Sequence, residues 1–167
     1  PDITNKSDVG GEALDLEGGG AAANAAEAIL ERVRASQPSA RITGFTMEPM
    51  IRVKDAYGLI IGLNEDAQFG PVILFGHGGT ATEILADRAL GLPPLNTMLA
   101  QDLISRTKIY KLLRGFRDRP PAALDAIAMT LLKVSQIAVD LPEIVELDIN
   151  PLLAGPTDVI ALDARIR

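Results

Sequence analysis

The hydrophobic pattern along this chain changes period several times, and each change predicts an element. Val9 to Leu16 alternates loosely and predicts a strand. From Ala21 to Ser36 the apolar residues Ala22, Ala25, Ala26, Ile29, Leu30 and Val33 recur at helical spacing, with Pro38 just past the end as a stop. Ile42–Met47 predicts a short strand, Leu59–Leu63 a second and Val72–Phe75 a buried third. A glycine-rich turn, Gly76-His77-Gly78-Gly79, then opens into a helix expected from about Ala81 to Leu90. Leu92-Pro93-Pro94-Leu95 is a rigid extended connector, and Met98–Arg114 predicts one helix stopped by Gly115. Another helix follows with Pro121 in its first turn, a stripe of Leu124, Ile127, Leu131, Val134 and Ala138, and an end at Asp140-Leu141-Pro142.

The C-terminal pattern has period two. Glu146, Asp148 and Asn150 share one face of a predicted strand, while Val145, Leu147 and Ile149 take the other. Pro151 lacks a ladder donor and is expected to end the strand. Gly155-Pro156-Thr157-Asp158 supplies a turn, and Val159–Ile166 reads as one returning strand. Its alternation puts Asp163 and Arg165 on one face, with Ile160, Leu162 and Ala164 on the other. If the hairpin pairs, oxygen ligands from two strands converge, which suits a hard cation such as Mg²⁺. A solvated polar face on an antiparallel hairpin gives the same pattern. The glycine turn after a buried strand is open in the same way: it is an anion cradle at a helix N-terminus, or a tight turn holding no ligand.

Composition narrows the classes. The chain has 167 residues, 47% of them hydrophobic and 23% charged, which predicts a globular domain with a real core. No apolar run reaches the roughly 18 residues that span a bilayer. There is no cysteine, which excludes disulfides and thiolate metal sites and fits a reducing cytoplasm. A single histidine excludes a multi-histidine metal centre within the chain. A net charge of −6 and 4% aromatic residues argue against nucleic acid as a partner. The first residue is Pro1 rather than Met, as expected of a piece of a longer protein.

Three strings then carry a resemblance. Asn5-Lys-Ser-Asp-Val-Gly-Gly11 resembles the H-K-S-D-V-G-G element of NDP-forming acyl-CoA synthetases. Phe69-Gly-Pro-Val-Ile-Leu-Phe-Gly-His-Gly-Gly79 is similar to their F-G-P-V-(aliphatic)-F-G-x-G-G element, and Pro142–Leu152 followed by Ala161–Arg165 to their E-L-D-I-N-P…D motif. Residues 79–95 look most like the branch fused to a GNAT acetyltransferase domain. The resemblance implies an α/β (α+β), ATP-grasp-like fold. A truncated N-terminal lobe would span 1–47, a hinge 48–57, and a C-terminal lobe 58–167 with a mixed sheet flanked by helices.

The resemblance also implies roles. Asn150 and Asp163, with Asp148 beside them and Glu146 in weaker support, would hold Mg²⁺ against the phosphates of ATP or ADP. Glu48, Met50 and Ile51 would hold adenine at the hinge, and Lys6 would act on the phosphates. Gly76, Gly78 and Gly79 would receive phosphate or a phosphorylated partner loop. The implied reaction is that of an acid-thiol ligase, acetate–CoA ligase of the ADP-forming type, running through an acyl phosphate. Its partners would be acyl-CoA or CoA and a CoA-binding domain carrying a phosphohistidine, with no nucleic acid or membrane and with homo-oligomerisation left open. Asn5 stands where many relatives have histidine, and Gly58 where they often have an acid. Those two departures support an alternative, a degenerate module regulating an attached lysine acetyltransferase. The piece by itself is expected to bind ATP poorly and to be inactive.

Overall fold

The computed structural model describes residues 9–79 and 86–167. The chain divides into two compact units, Pro1–Arg52 and Val53–Arg167.

In the first unit, α1 (Gly18–Ser36) forms as its alanine-rich stripe predicts, starting three residues early, with Val33 its buried residue. Ser36 Oγ bonds back to the carbonyls of Arg32 and Val33 near its end. Arg32 Nε donates to the Gly10 carbonyl at 3.2 Å, and Arg52 forms an ion pair with Asp15. The predicted strands at Val9–Leu16 and Ile42–Met47 do not form. Asp15 sits at φ 56°, which breaks an extended run. Leu14, Leu16, Phe45 and Met47 are all exposed, so the alternation has no buried face to stabilise it.

The second unit is built on a six-stranded sheet. Its strands are β1 (Tyr57–Asp66), β2 (Gly70–His77), β3 (Arg88–Gly91), β4 (Glu146–Ala154), β5 (Val159–Ala161) and β6 (Ala164–Ile166). The order is β3-β2-β1-β4-β5, with β6 also on β4, and every pairing is antiparallel, so the sheet is not mixed. In β1 the alternation buries Tyr57, Leu59, Ile61 and Leu63. The register lays Ile61 between Phe75 and Ile149, and Leu63 between Ile73 and Leu147. Against this face pack α2 (Thr97–Ser105) and α4 (Leu124–Asp140) through Leu103, Ile104, Ile127, Leu131 and Val134. Each such side chain contributes about 1.5–3 kcal/mol of burial. No described helix is long and apolar enough to cross a membrane.

Several boundaries differ from the sequence pattern, each because of a partner far away in the chain. Of the helix expected at 81–90, residues 81–85 lie outside the described residues and Arg88–Leu90 belong to β3. Ala89 pairs with Phe75 and is buried by it. The helix expected over 98–114 is broken into α2 and the short α3 (Tyr110–Leu113). The buried Asp87 carboxylate accepts the amides of Lys108 at 2.6 Å and Ile109 at 2.7 Å, which a continuous helix would have given to its own carbonyls. Gly115, at φ 91°, stops α3 as expected. Pro121 does not enter the first turn of α4, because the amides of Ala122 and Ala123 are held by the carbonyls of Leu113 and Gly155.

Pro151 does not end β4. The pairing with β1 shifts register between Leu59 and Ile61, so that Ile60 alone spans Asn150 and Pro151. A bulge is a position where proline's missing donor costs no ladder bond. The returning strand breaks at the matching point, Leu162–Asp163, to give β5 and β6. Ile160 therefore pairs with Leu153 and Arg165 with Asp148, while Ala164 pairs with Ile149 toward the helix-covered side. Ile160 and Ala164 do not share a face as the alternation predicted.

Candidate functional site

The site is built where β2 ends and where β4 and the returning strand break together. Gly76 and Gly78 are glycines for packing. A Cβ on Gly76 would lie 2.2 Å from the Asp87 carbonyl oxygen, and one on Gly78 would lie 2.5 Å from the Leu59 carbonyl. Gly78 N–H donates to the Gly58 carbonyl at 2.9 Å, which fixes the turn against β1. Gly79 differs from both. It is exposed, sits at φ 87°, and among the described residues no atom lies within 4 Å of where a Cβ would be. Its N–H donates to Asn150 Oδ1 at 3.3 Å, joining residues 71 positions apart.

Asn150 also joins the opposite strand, since its backbone N–H donates to the Asp163 carbonyl at 3.1 Å. Leu162 N–H completes the junction on the Pro151 carbonyl at 3.0 Å. Asn150 and Asp163 are thus adjacent, as the hairpin reading expected, although through a paired break rather than a regular ladder. The Asn150 amide oxygen accepts one bond there and has a second lone pair left for a cation.

Asp148 is next along β4. Partial burial raises its pKa first of all; Arg165 opposes that, while the charges of Glu146 and Asp163 raise it further. The carboxylates are close enough to feel one another, which a bound cation would relieve. Glu146 is held instead by cations of the chain, Arg165 at 2.8 Å and Arg167 at 3.4 Å, so it is spoken for as an ion-pair partner. Among the described residues no group of three His, Asp or Glu side chains makes a complete metal cage. One amide oxygen with one or two carboxylates fits Mg²⁺, which keeps several waters and takes phosphate oxygens.

The other expected residues are distributed differently. Lys6 and Asn5 lie outside the described residues. Glu48, Met50 and Ile51 belong to the first unit, in an irregular run where all three are exposed. Gly58 lies at the site: a Cβ there would have ordinary contacts, 3.9 Å from Gly78 and from Pro151. An acidic side chain at that position would stand beside the glycine turn, so glycine leaves this corner uncharged. His77 continues the buried side of β2; its backbone N–H donates to the Asp87 carbonyl at 3.0 Å, and its buried Nδ1 has no hydrogen-bond partner among the described residues. The bond from Gly79 to Asn150 and the Glu146–Arg165 pair were not foreseen; both join strands whose register the alternation does not specify.

Comparison with known proteins decides the family. Residues 1–167 match the ATP-grasp domain family. The chain belongs to it. Within the ATP-grasp family it is 39% identical over 166 residues to acetate–CoA ligase [ADP-forming] I of Archaeoglobus fulgidus, covering 99% of this chain and 24% of that one. It is 36% identical to the beta subunit of acetate–CoA ligase [ADP-forming] I of Pyrococcus furiosus, covering 99% of this chain and 71% of the subunit. The chain thus spans about a quarter of the single-chain ligase, and it is the ATP-grasp part of the ADP-forming acetate–CoA ligase family. Among solved structures it is similar to acetyl-coenzyme A synthetase 1 of Ca. Korarchaeum cryptofilum. The match has a TM-score of 0.86 and 36% identity, over 99% of this chain and 71% of the other. That protein was solved with coenzyme A and Ca-AMPCP. It was also solved with coenzyme A and Mg-AMPPCP, its phosphohistidine segment pointing towards the nucleotide site. This ATP-grasp sheet, antiparallel with helices on one side, agrees with the expected α+β class.

Proposed function

We propose that this ATP-grasp chain is the nucleotide- and Mg²⁺-binding part of an ADP-forming acyl-CoA ligase. It would transfer a phosphoryl group between ATP or ADP and a phosphohistidine carried on a CoA-binding domain, leading to acyl phosphate and acyl-CoA. The observation that carries the reading is the junction of Gly79 N–H, Asn150 Oδ1 and the Asn150–Asp163 backbone pair. It joins the glycine turn, the Asn150 side chain and the Asp163 backbone, which come from three separate segments. A relative solved with Mg-AMPPCP and a phosphohistidine segment supports the cofactors and the partner.

Asn150 Oδ1, Asp163 and Asp148 would hold the cation, which supplies neutralisation of phosphate charge when bound. The chain's own work is positioning. Gly79 N–H orients the Asn150 amide so that its oxygen rather than its nitrogen faces the site. The exposed end of the glycine turn would face a phosphate or a phosphorylated loop. Arg165 and Arg167, held by Glu146, partly offset the carboxylate charge. Phosphoryl transfer needs this kind of in-line placement and charge stabilisation more than covalent chemistry. Lys6 is assigned to the phosphates, and Glu48, Met50 and Ile51 to adenine. A cytoplasmic setting suits a soluble CoA-dependent ligase.

The alternative, a degenerate module regulating an acetyltransferase of the GNAT-fused branch, rests on Asn5 and Gly58, and ligase relatives matched over 99% of the chain weigh against it. The test is acyl-CoA-dependent ATP formation by the full-length protein. Asp163→Ala and Asn150→Ala are each expected to lower turnover roughly 100-fold or more, with unchanged circular dichroism. Wild-type turnover in Asp163→Ala would sink the proposal.

A further inference from the structure

The acidic character of the chain hides a basic segment. Six of its sixteen lysines and arginines fall between residues 106 and 119: Arg106, Lys108, Lys111, Arg114, Arg117 and Arg119. Asp118 is the one acid among them. In a protein of net charge −6 this is a strong local excess of the opposite sign. The segment also has a shape. Tyr110, Lys111, Arg114 and Gly115 line an open concavity of about 270 Å³ on α3 and the turn that follows it.

Two of these cations, Lys111 and Arg114, are available. Arg106 is paired with Asp102. Arg119 is committed to the Tyr57 ring, 4.4 Å from its centroid, and to the Ala56 carbonyl. Among the described residues neither Lys111 nor Arg114 has an ion-pair or side-chain hydrogen-bond partner. Arg114 lies 5.9 Å from the Tyr110 ring centroid, which steadies the guanidinium while leaving its N–H donors free. The carbonyls that end α3 form the negative end of its dipole, but a single turn of helix makes that charge small beside two full cations. Those of Tyr110, Leu112 and Leu113 already accept amides from Arg114, Gly115 and Ala122. Arg117 is held at φ 54° in the tight turn closed by Phe116 and Arg119, a conformation that an arginine adopts at a cost.

We propose that this concavity binds a phosphate-bearing anion, at a site distinct from the Asn150–Asp163 junction. A flexible ammonium on a short helix and a planar guanidinium at its C-cap, three residues on, suit a compact polyanion, the arginine bidentate and the lysine as a point charge. The size suits the phosphate end of a small ligand rather than a flat protein surface. The shared chemistry is a phosphate or diphosphate, either free or as the tail of a nucleotide.

The test is calorimetric titration of the protein without Mg²⁺, using pyrophosphate, ADP and a pentaglutamate peptide as probes. Pyrophosphate is expected to bind wild type and Asp163→Ala alike. The double variant Lys111→Gln with Arg114→Gln should bind it about tenfold or more weakly. In wild type, amide chemical shifts should move at Tyr110, Lys111 and Gly115 on adding pyrophosphate. Equal binding of pyrophosphate and ADP assigns the site to the free anion; tighter, Lys111- and Arg114-dependent ADP binding assigns it to a nucleotide tail. The proposal is overturned if wild type does not bind pyrophosphate, if the double variant binds it as well as wild type, or if pentaglutamate binds as tightly.

Discussion

Partial burial and the neighbouring carboxylates raise the Asp148 pKa against the pull of Arg165. The folded chain therefore keeps this proton to higher pH than the unfolded one. Its contribution to stability is most favourable below the ordinary carboxylate value of 3.8 and is lost as pH rises through the raised folded value. Asp148→Asn should remove that loss. The melting temperature of the variant relative to wild type should therefore rise between about pH 3 and pH 7, and a flat difference would contradict the assignment. The glycines give a second prediction at this scale. Gly78→Ala puts a Cβ 2.5 Å from backbone and should cost about 3 kcal/mol or more. Gly79→Ala meets no atom among the described residues and should cost about 1–2 kcal/mol for its left-handed φ. Gly58→Ala should be near neutral. Urea denaturation of the three checks that ranking, and equal costs would refute the packing account of the turn.

Among the elements, α2 and α3 share an apolar spacing that continues across their break and predicts a single helix. Asp87, which enters from the strand side, decides otherwise by capturing two amides. Hydrogen bonds to a buried carboxylate are worth more than neutral ones, so Asp87→Ala should destabilise by on the order of 3 kcal/mol. A loss below about 1 kcal/mol in chemical denaturation would show that the break does not depend on it. By contrast α4 was legible from its stripe, because Ile127, Leu131, Val134 and Ala138 all reach the core at the predicted spacing. The predicted strands of the first unit failed for the complementary reason: their alternation lacked both a ladder and a buried face. β3, a four-residue edge strand, carried too short a pattern to be seen.

At the scale of the molecule, the chain is two compact units whose boundary in sequence falls between Arg52 and Val53. Residues 41–53 carry no regular structure, and Met47 and Met50 are exposed. Trypsin is therefore expected to cut at Arg52 and to leave a 53–167 piece that unfolds cooperatively. Rapid digestion of that piece would show that the sheet and its helices are not an independent unit. All the described parts of the Asn150 junction lie within it.

Sequence alone determined the features that depend on local period and backbone chemistry. These are α1 and α4, the positions of β1 and β2, the stop at Gly115, the glycine turn, and the existence of a polar hairpin near the C-terminus. The motif order also pointed to the ATP-grasp family, which the whole-chain match established. Tertiary structure decided the parity of that hairpin. β4 and its return break together at Asn150–Pro151 and Leu162–Asp163, and this break sets Asn150 beside Asp163 and within reach of Gly79. Side-chain period follows from each strand's own geometry. A bulge, a register and a hydrogen bond across 71 residues depend on partners that come together only when the sheet is complete.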